Sequence, residues 1–165
     1  MVKLKQKTQK SITINNSNHA KYYFYNMTDV LVIGSGIAGL SFALKTAAQF
    51  PDKKILILTK ANEDESNTKY AQGGIAVVTD FEKDNFEKHI SDTLIAGDGL
   101  CNQDIVDIVI REGRLRVDEL ISWGTNFDKE AEGDYKLGRE GGHSEHRVLH
   151  YKDITGWEIE RALLA

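Results

Sequence analysis

The stretch DVLVIGSGIAGLSFALK, Asp29 to Lys45, reads as a strand, a glycine turn and a helix. Asp29 to Ile33 is a nearly continuous apolar run, the pattern of a buried parallel strand. Gly34, Gly36 and Gly39 then fit G-x-G-x-x-G. In that pattern the first glycine allows the tight turn, the second lets the backbone approach a pyrophosphate, and the third lets the helix pack closely on the sheet. With Ser35, Ile37 and Ala38 they form a candidate phosphate cradle, because a helix N-terminus offers free N–H groups and partial positive charge. Ile37, Leu40, Leu44, Ala47 and Ala48 fall on one helical face, and Pro51 helps to stop the helix. KKILILTK supplies a second strand, Ile55 to Thr59. The predicted unit is β-α-β with a right-handed crossover and a parallel sheet. The fold class is therefore α/β and Rossmann-like.

The 165 residues suffice for one domain with a sizeable core. Hydrophobic content (41%) and charge (28%, net −4) are those of a soluble protein with no call for nucleic acid or an acidic membrane surface. The single cysteine, Cys101, excludes a disulfide framework and a cysteine-based zinc site, and suits a reducing cytoplasm. It reads as a plain buried or half-buried thiol. No apolar stretch is long enough to span a bilayer. Residues 1–26 carry Lys3, Lys5, Lys7, Lys10 and Lys21 and no acid. They read as a disordered basic extension, with the folded part running from 27 to 165.

Beyond the second strand, IAVVT is a short strand or a loop lining. Asp84 with Glu87 predicts a capping box, followed by a helix with Phe86, Ile90 and Leu94 on its apolar face and an end near AGDG. Asn102 caps a longer helix, with Asp104 in its first turn. Ile105, Val109, Val117, Leu120 and Ile121 are expected to face inward, Gly113 is a possible break, and Gly124 a C′ residue. A hairpin is expected around Glu132–Asp134. Thr155 and Glu158 predict a second capping box with a helix from Gly156. That helix reaches Ala165 in under three turns, and two strands make a meagre sheet, so the chain reads as the N-terminal piece of a longer protein.

Lys60, at the end of the second strand, is open to three roles: a 2′-phosphate partner favouring NADP, a contact to the ribose or phosphate of FAD, or a solvated side chain. SNTKYAQGG, Ser66 to Gly74, follows it. A glycine pair after small polar residues suits backbone contact with a flat ring, through the N–H groups of Ala71 to Gly74. Ser66, Asn67 and Thr68 offer short polar groups to a pyrophosphate or ribityl chain, and Lys69, Tyr70 and Gln72 complete the candidate segment. His143, His146 and His150 have metal-like spacing for a helix, but Gly141 and Gly142 argue against a helix there.

GSGIAGL, SNTKYAQGGIA, DTLIAGDGLCN, REGGHSEHRVLH and DITGWEIE follow in the order seen in L-aspartate oxidases. From about Met27 to Ala165 the chain resembles these FAD enzymes of the fumarate reductase/succinate dehydrogenase flavoprotein superfamily. The resemblance implies the N-terminal part of an FAD-binding domain. It also implies oxidation of L-aspartate to iminoaspartate, the first step of the quinolinate route to NAD, with oxygen or fumarate reoxidising the flavin and quinolinate synthase acting downstream. Asn67 stands where many relatives carry the histidine bonded covalently to FAD, so noncovalent FAD is implied. Glu140 stands where aspartate oxidases have a glutamate, which would orient the substrate amine through a charge-assisted hydrogen bond. His143 is a candidate cleft residue. Arg147 would meet either a substrate carboxylate or an acid of the fold. The family's main clamp arginines and acid-base residues lie in a later domain, so this chain alone is expected to hold a partial site without turnover. The alternatives are a soluble fumarate reductase, an NADP dehydrogenase using Lys60, and a non-functional truncated product.

Overall fold

The computed structural model describes residues 28–165, so the expected basic extension lies outside the described residues. The β-α-β unit is present: β1 (Val30–Ile33), α1 (Ile37–Gln49) and β2 (Ile55–Leu58). The strands pair in parallel, Val30 opposite Ile55 through Ile33 opposite Leu58. Gly34 N–H continues the ladder to the Leu58 carbonyl at 2.8 Å. At the other end Asp29 accepts from the Lys54 N–H (2.9 Å) and the Lys53 ammonium (3.0 Å). The apolar runs predicted burial on both faces. Instead α1 lies against one face, while Leu31, Ile33, Leu56 and Leu58 on the other are 40–79% exposed. The predicted helical face is corrected too. Leu40 and Ala43 are its buried residues, whereas Ile37 and Ala48 are exposed.

A second sheet has the order β3-β5-β4, all antiparallel: β3 (Ile75–Ala76), β5 (Val148–Leu149) and β4 (Leu137–Gly138). The expected hairpin leads into β4. Lys129 bridges Tyr135, and Gly133 takes φ +98°, the left-handed region that glycine enters without penalty.

The helices α2 (Phe86–Ala96), α3 (Gln103–Ser122) and α4 (Thr155–Leu164) complete the described chain. Asn102 caps α3 as predicted, accepting from the Ile105 N–H, and Gly124 adopts φ +102° just past its end. The helix runs unbroken through Gly113. Its buried residues are Ile110, Val117 and Leu120, whereas Ile105 and Val109 are more than half exposed.

Neither predicted capping box forms. Asn85 caps α2, accepting from Lys88 N–H, because the Asp84 carboxylate is drawn into a buried ion pair. The buried residue of α2 is His89 rather than Phe86, Ile90 or Leu94. At α4, Thr155 Oγ1 accepts from the Tyr151 N–H, and Glu158 turns to Asn126 and Arg161. The competing partner of Asp84 is 63 residues away, whereas those of α4 are the nearby Tyr151 and Arg161 together with the distant Asn126.

Two apolar clusters tie the layers together. Leu40, Leu120, Ile159 and Leu163 join α1, α3 and α4. Val77, Val117, Phe127 and Leu149 seat the second sheet on α3. Each such side chain contributes about 1.5–3 kcal/mol on burial.

Candidate cofactor site

Gly34 takes φ +107°, and a side chain there would point into open space. A Cβ on Gly39 would overlap the Gly34 carbonyl, so the third glycine does let the helix close on the turn. A Cβ on Gly36 would face Thr68 Oγ1 at 3.5 Å and Ser66 Cβ at 3.8 Å. Ser35 is buried and donates to Thr59 Oγ1 at 3.3 Å, joining the ends of β1 and β2. Gly36 caps α1 with no side-chain acceptor. The first helical N–H, that of Ile37, is taken by Thr68 Oγ1 at 3.0 Å. Those of Ala38 and Gly39 have no intrahelical partner by position.

The Thr68 bond brings the two predicted motifs together. SNTKYAQGG is also pinned from below. Gly156, at the start of α4, donates its N–H to the Ala71 carbonyl at 2.9 Å, and a Cβ on Gly156 would overlap Thr68 O and Ala71 O. A Cβ on Gly74 would overlap the Leu149 carbonyl and the Val148 side chain. Asn67, Gln72 and Gly73 are exposed, and a Cβ on Gly73 would meet nothing within 4 Å.

Three expected contacts are modified. The Ala71 N–H already donates to Thr68 O at 3.1 Å, so a ring contact falls to the residues after it. Lys69 pairs with Asp64 at 2.6 Å, and Tyr70 donates its hydroxyl to Glu65 at 2.8 Å, so both side chains serve the loop itself. Lys60 is exposed and makes no ion pair among the described residues.

The loop from 139 to 147 joins β4 to β5. Register puts it at the Ala76 end of the sheet, the end opposite Gly74. Two residues of strand rise separate the ends, about 7 Å. Glu140 is exposed on a turn in which its carbonyl accepts from the His143 N–H at 3.2 Å. His143 packs edge-on against His89, with ring centres 5.8 Å apart.

Arg147 settles as a partner of fold acids rather than a group open to a substrate. It is fully buried. Its Nε and Nη2 donate to the two oxygens of Asp84 at 2.7 and 2.8 Å, and its Nη1 donates to Asp92. Burial pushes the Asp92 carboxyl up, but the Ser144 N–H, Arg147 and the Ser144 hydroxyl pull it down to about 2. Burial, then the charge of Arg147, lowers His89 to about 4. The loop carrying Glu140 and His143 is thus clamped to α2 by a buried ion pair.

Sequence reasoning placed Asp84 and Gly156 only at helix starts and missed their long-range contacts, and it missed Asp92 and His89 altogether. Gly156 directly after a predicted cap was a usable signal, since glycine there has no helical advantage. The acids and His89 gave none, because their partner Arg147 is 55–63 residues away.

Among the described residues, no helix is long and apolar enough to cross a membrane. Residues 29–165 match the family described as FAD binding domain. The L-aspartate oxidase of Arabidopsis thaliana, designated chloroplastic, is 46% identical over 151 residues, covering 92% of this chain and 22% of the relative. That of Yersinia pestis is 48% identical over 143 residues, covering 84% and 26%. Among solved structures, E. coli quinol fumarate reductase superposes with TM-score 0.76 at 33% identity, covering 83% of this chain and 23% of that one. A flavocytochrome c3 fumarate reductase superposes with TM-score 0.68 at 27% identity, covering 83% and 24%. The chain spans about a quarter or less of the length of these proteins.

Proposed function

This chain belongs to the FAD-binding domain family, and from that premise we propose that it supplies the N-terminal part of a noncovalent flavin site in an L-aspartate oxidase. The whole protein would oxidise L-aspartate to iminoaspartate and pass electrons to oxygen or fumarate. It would act in a reducing cytoplasm and feed a quinolinate synthase. The observation that carries this reading is the hydrogen bond from Ile37 N–H to Thr68 Oγ1, which seats the second glycine segment on the first.

The residues present fit the group. Gly34 and Gly73 leave space where a side chain would stand. The amides of Ala38 and Gly39 face outward at a helix N-terminus, where a pyrophosphate is stabilised. Ser66 and Thr68 wall the same turn. Bound FAD would supply the hydride acceptor. Asn67 is an amide and cannot form the covalent link that a histidine makes. Glu140 would hold the substrate ammonium, which distinguishes aspartate from succinate by a charge-assisted contact. His143 would line the same loop, and Arg147 would fix that loop without touching substrate. Lys60, exposed at the end of β2, would reach the adenosine end.

Absorbance after incubation of the chain with FAD, desalting and acid precipitation tests the reading. The expected result is a retained flavin band released into the supernatant by acid. A coloured pellet would mean a covalent link and sink the role given to Asn67. Absence of retained flavin would leave the family standing and mean that this part of the site does not retain flavin without the residues that complete it.

A further inference from the structure

Two glutamates on α4, two positions apart, are buried to the same degree and treated in opposite ways. Glu158 is 2% exposed and accepts four hydrogen bonds: from the Asn126 backbone N–H and side-chain amide, and from Nε and Nη2 of Arg161. Arg161, then the Asn126 groups working against burial, holds its carboxyl below the usual range. Glu160 is 1% exposed, and neither oxygen has a hydrogen-bond partner among the described residues. It stands one helical turn after Gly156, on the same face as that residue, whose N–H meets the Ala71 carbonyl at 2.9 Å, and so lies beneath the Ser66–Gly74 segment, where the groups that act on it are Ser66, Asp64 and Lys69. The one cation of that set, Lys69, is held by Asp64 at 2.6 Å. On α1 and α3, the helices packed against α4, Lys45 and Glu119 pair with each other at 2.7 Å. On α4 itself Arg161 is committed to Glu158.

A carboxylate stored without cation or donor is far costlier than a neutral acid in the same place. A neutral acid needs one acceptor. Ser66 Oγ accepts one bond, from Lys69 N–H at 3.3 Å, and a hydroxyl oxygen has capacity for a second. We propose that Glu160 is a positioning residue of the flavin segment that works as a neutral carboxylic acid, donating to Ser66 Oγ and holding Ser66 and Thr68 against the glycine turn. Burial, the largest influence on this group, raises its pKa, with Ser66 opposing. Loss of the proton leaves an uncompensated charge under the segment and loosens it. The proposal rests on the reading of Ser66–Gly74 as a flavin segment.

Glu160→Gln keeps the shape and the donor and cannot ionise. Thermal unfolding of the full chain without flavin, from pH 4.5 to 8, gives the first readout. A folded-state pKa above the unfolded one means stability that is complete at low pH and is lost as pH rises through the folded value. The variant's midpoint should therefore gain on the wild type by about 3–5 °C per pH unit within that window. A constant difference overturns the proposal whether or not flavin binds. Flavin fluorescence quenching gives the second readout. FAD affinity should fall with pH in the wild type, approaching tenfold per unit, and stay level in the variant. Equal pH dependence in both makes Glu160 neutral but not positioning, and overturns the proposal. If neither binds FAD, the flavin reading fails separately, and amide exchange at Lys69 decides. Protection lost with rising pH in the wild type alone supports the role, and identical loss overturns it. If Glu160→Gln does not fold, Ser66→Ala replaces it. It should lower FAD affinity at pH 5 to the wild type's pH 8 level, and unchanged affinity overturns the proposal.

Discussion

His89 shows how one residue's surroundings set a pH response. It is 6% exposed, its Nδ1 has no partner among the described residues, and Arg147 is close. A proton added there would be buried beside an existing positive charge. Above pH 6.5 the imidazole is neutral in both folded and unfolded chains. Below that, the unfolded chain takes the proton first, while the folded one resists to about pH 4. Stability is therefore lost as pH falls from 6.5 to 4, by roughly 3 kcal/mol in all. His89→Leu should remove this slope, and it leaves no new unpaired polar group. Urea unfolding at pH 7 and pH 4.5 checks it, and an unchanged slope would contradict the assignment. Asp92 adds its own loss only below about 3.8, through about 2, so the two windows are separate. Arg147 belongs to the same cluster, and its sequence neighbours gave no hint of its partners. A buried arginine bidentate to one aspartate and shared with another is legible only once Asp84 and Asp92 are brought to Arg147.

At the scale of elements, α4 is shaped by what lies on its N-terminal turn. Intrinsic propensity favours alanine over glycine by about 1 kcal/mol in a helix. At Gly156 this preference is overridden, since a Cβ would collide with the carbonyls of Thr68 and Ala71. Gly156→Ala should destabilise the chain by about 1–3 kcal/mol and weaken FAD retention by displacing the segment above it. Gly113→Ala is the comparison within α3. There a Cβ would meet Val77 Cγ2 at 3.4 Å, an ordinary contact, so propensity should win by about 0.5–1 kcal/mol. Guanidinium unfolding of the two variants separates the cases, and stabilisation by Gly156→Ala would refute the close-approach account. The same override explains both absent capping boxes. Asp84 and Glu158 each took a cationic partner in place of the box, Arg147 from 63 residues away and Arg161 from the next turn of the same helix. A charge-assisted pair outcompetes a neutral one.

For the whole molecule, the β1–β2 sheet is the conspicuous feature. Parallel sheets are ordinarily covered on both faces, and here Leu31, Ile33, Leu56 and Leu58 form an open apolar face among the described residues. The chain should bind a hydrophobic dye such as ANS while remaining cooperatively folded. Leu56→Thr with Leu58→Thr should cut the dye signal by about half, since each keeps strand propensity while removing apolar area. An unchanged signal would place the dye elsewhere.

The β-α-β unit, the glycine turn and the Asn102 cap were determined by the sequence alone. Each rests on backbone demands that a few adjacent residues meet: left-handed φ at Gly34, close approach at Gly39, a side-chain acceptor three residues before an amide. The seating of SNTKYAQGG on that turn, the burial of Arg147, and the contrast between Glu158 and Glu160 were decided only by the tertiary structure. Those outcomes depend on partners 31 to 63 residues apart in Thr68–Ile37, Asn126–Glu158 and Asp84–Arg147. Local spacing carries no record of such partners, because long-range packing chooses among several locally acceptable hydrogen bonds and charge pairs.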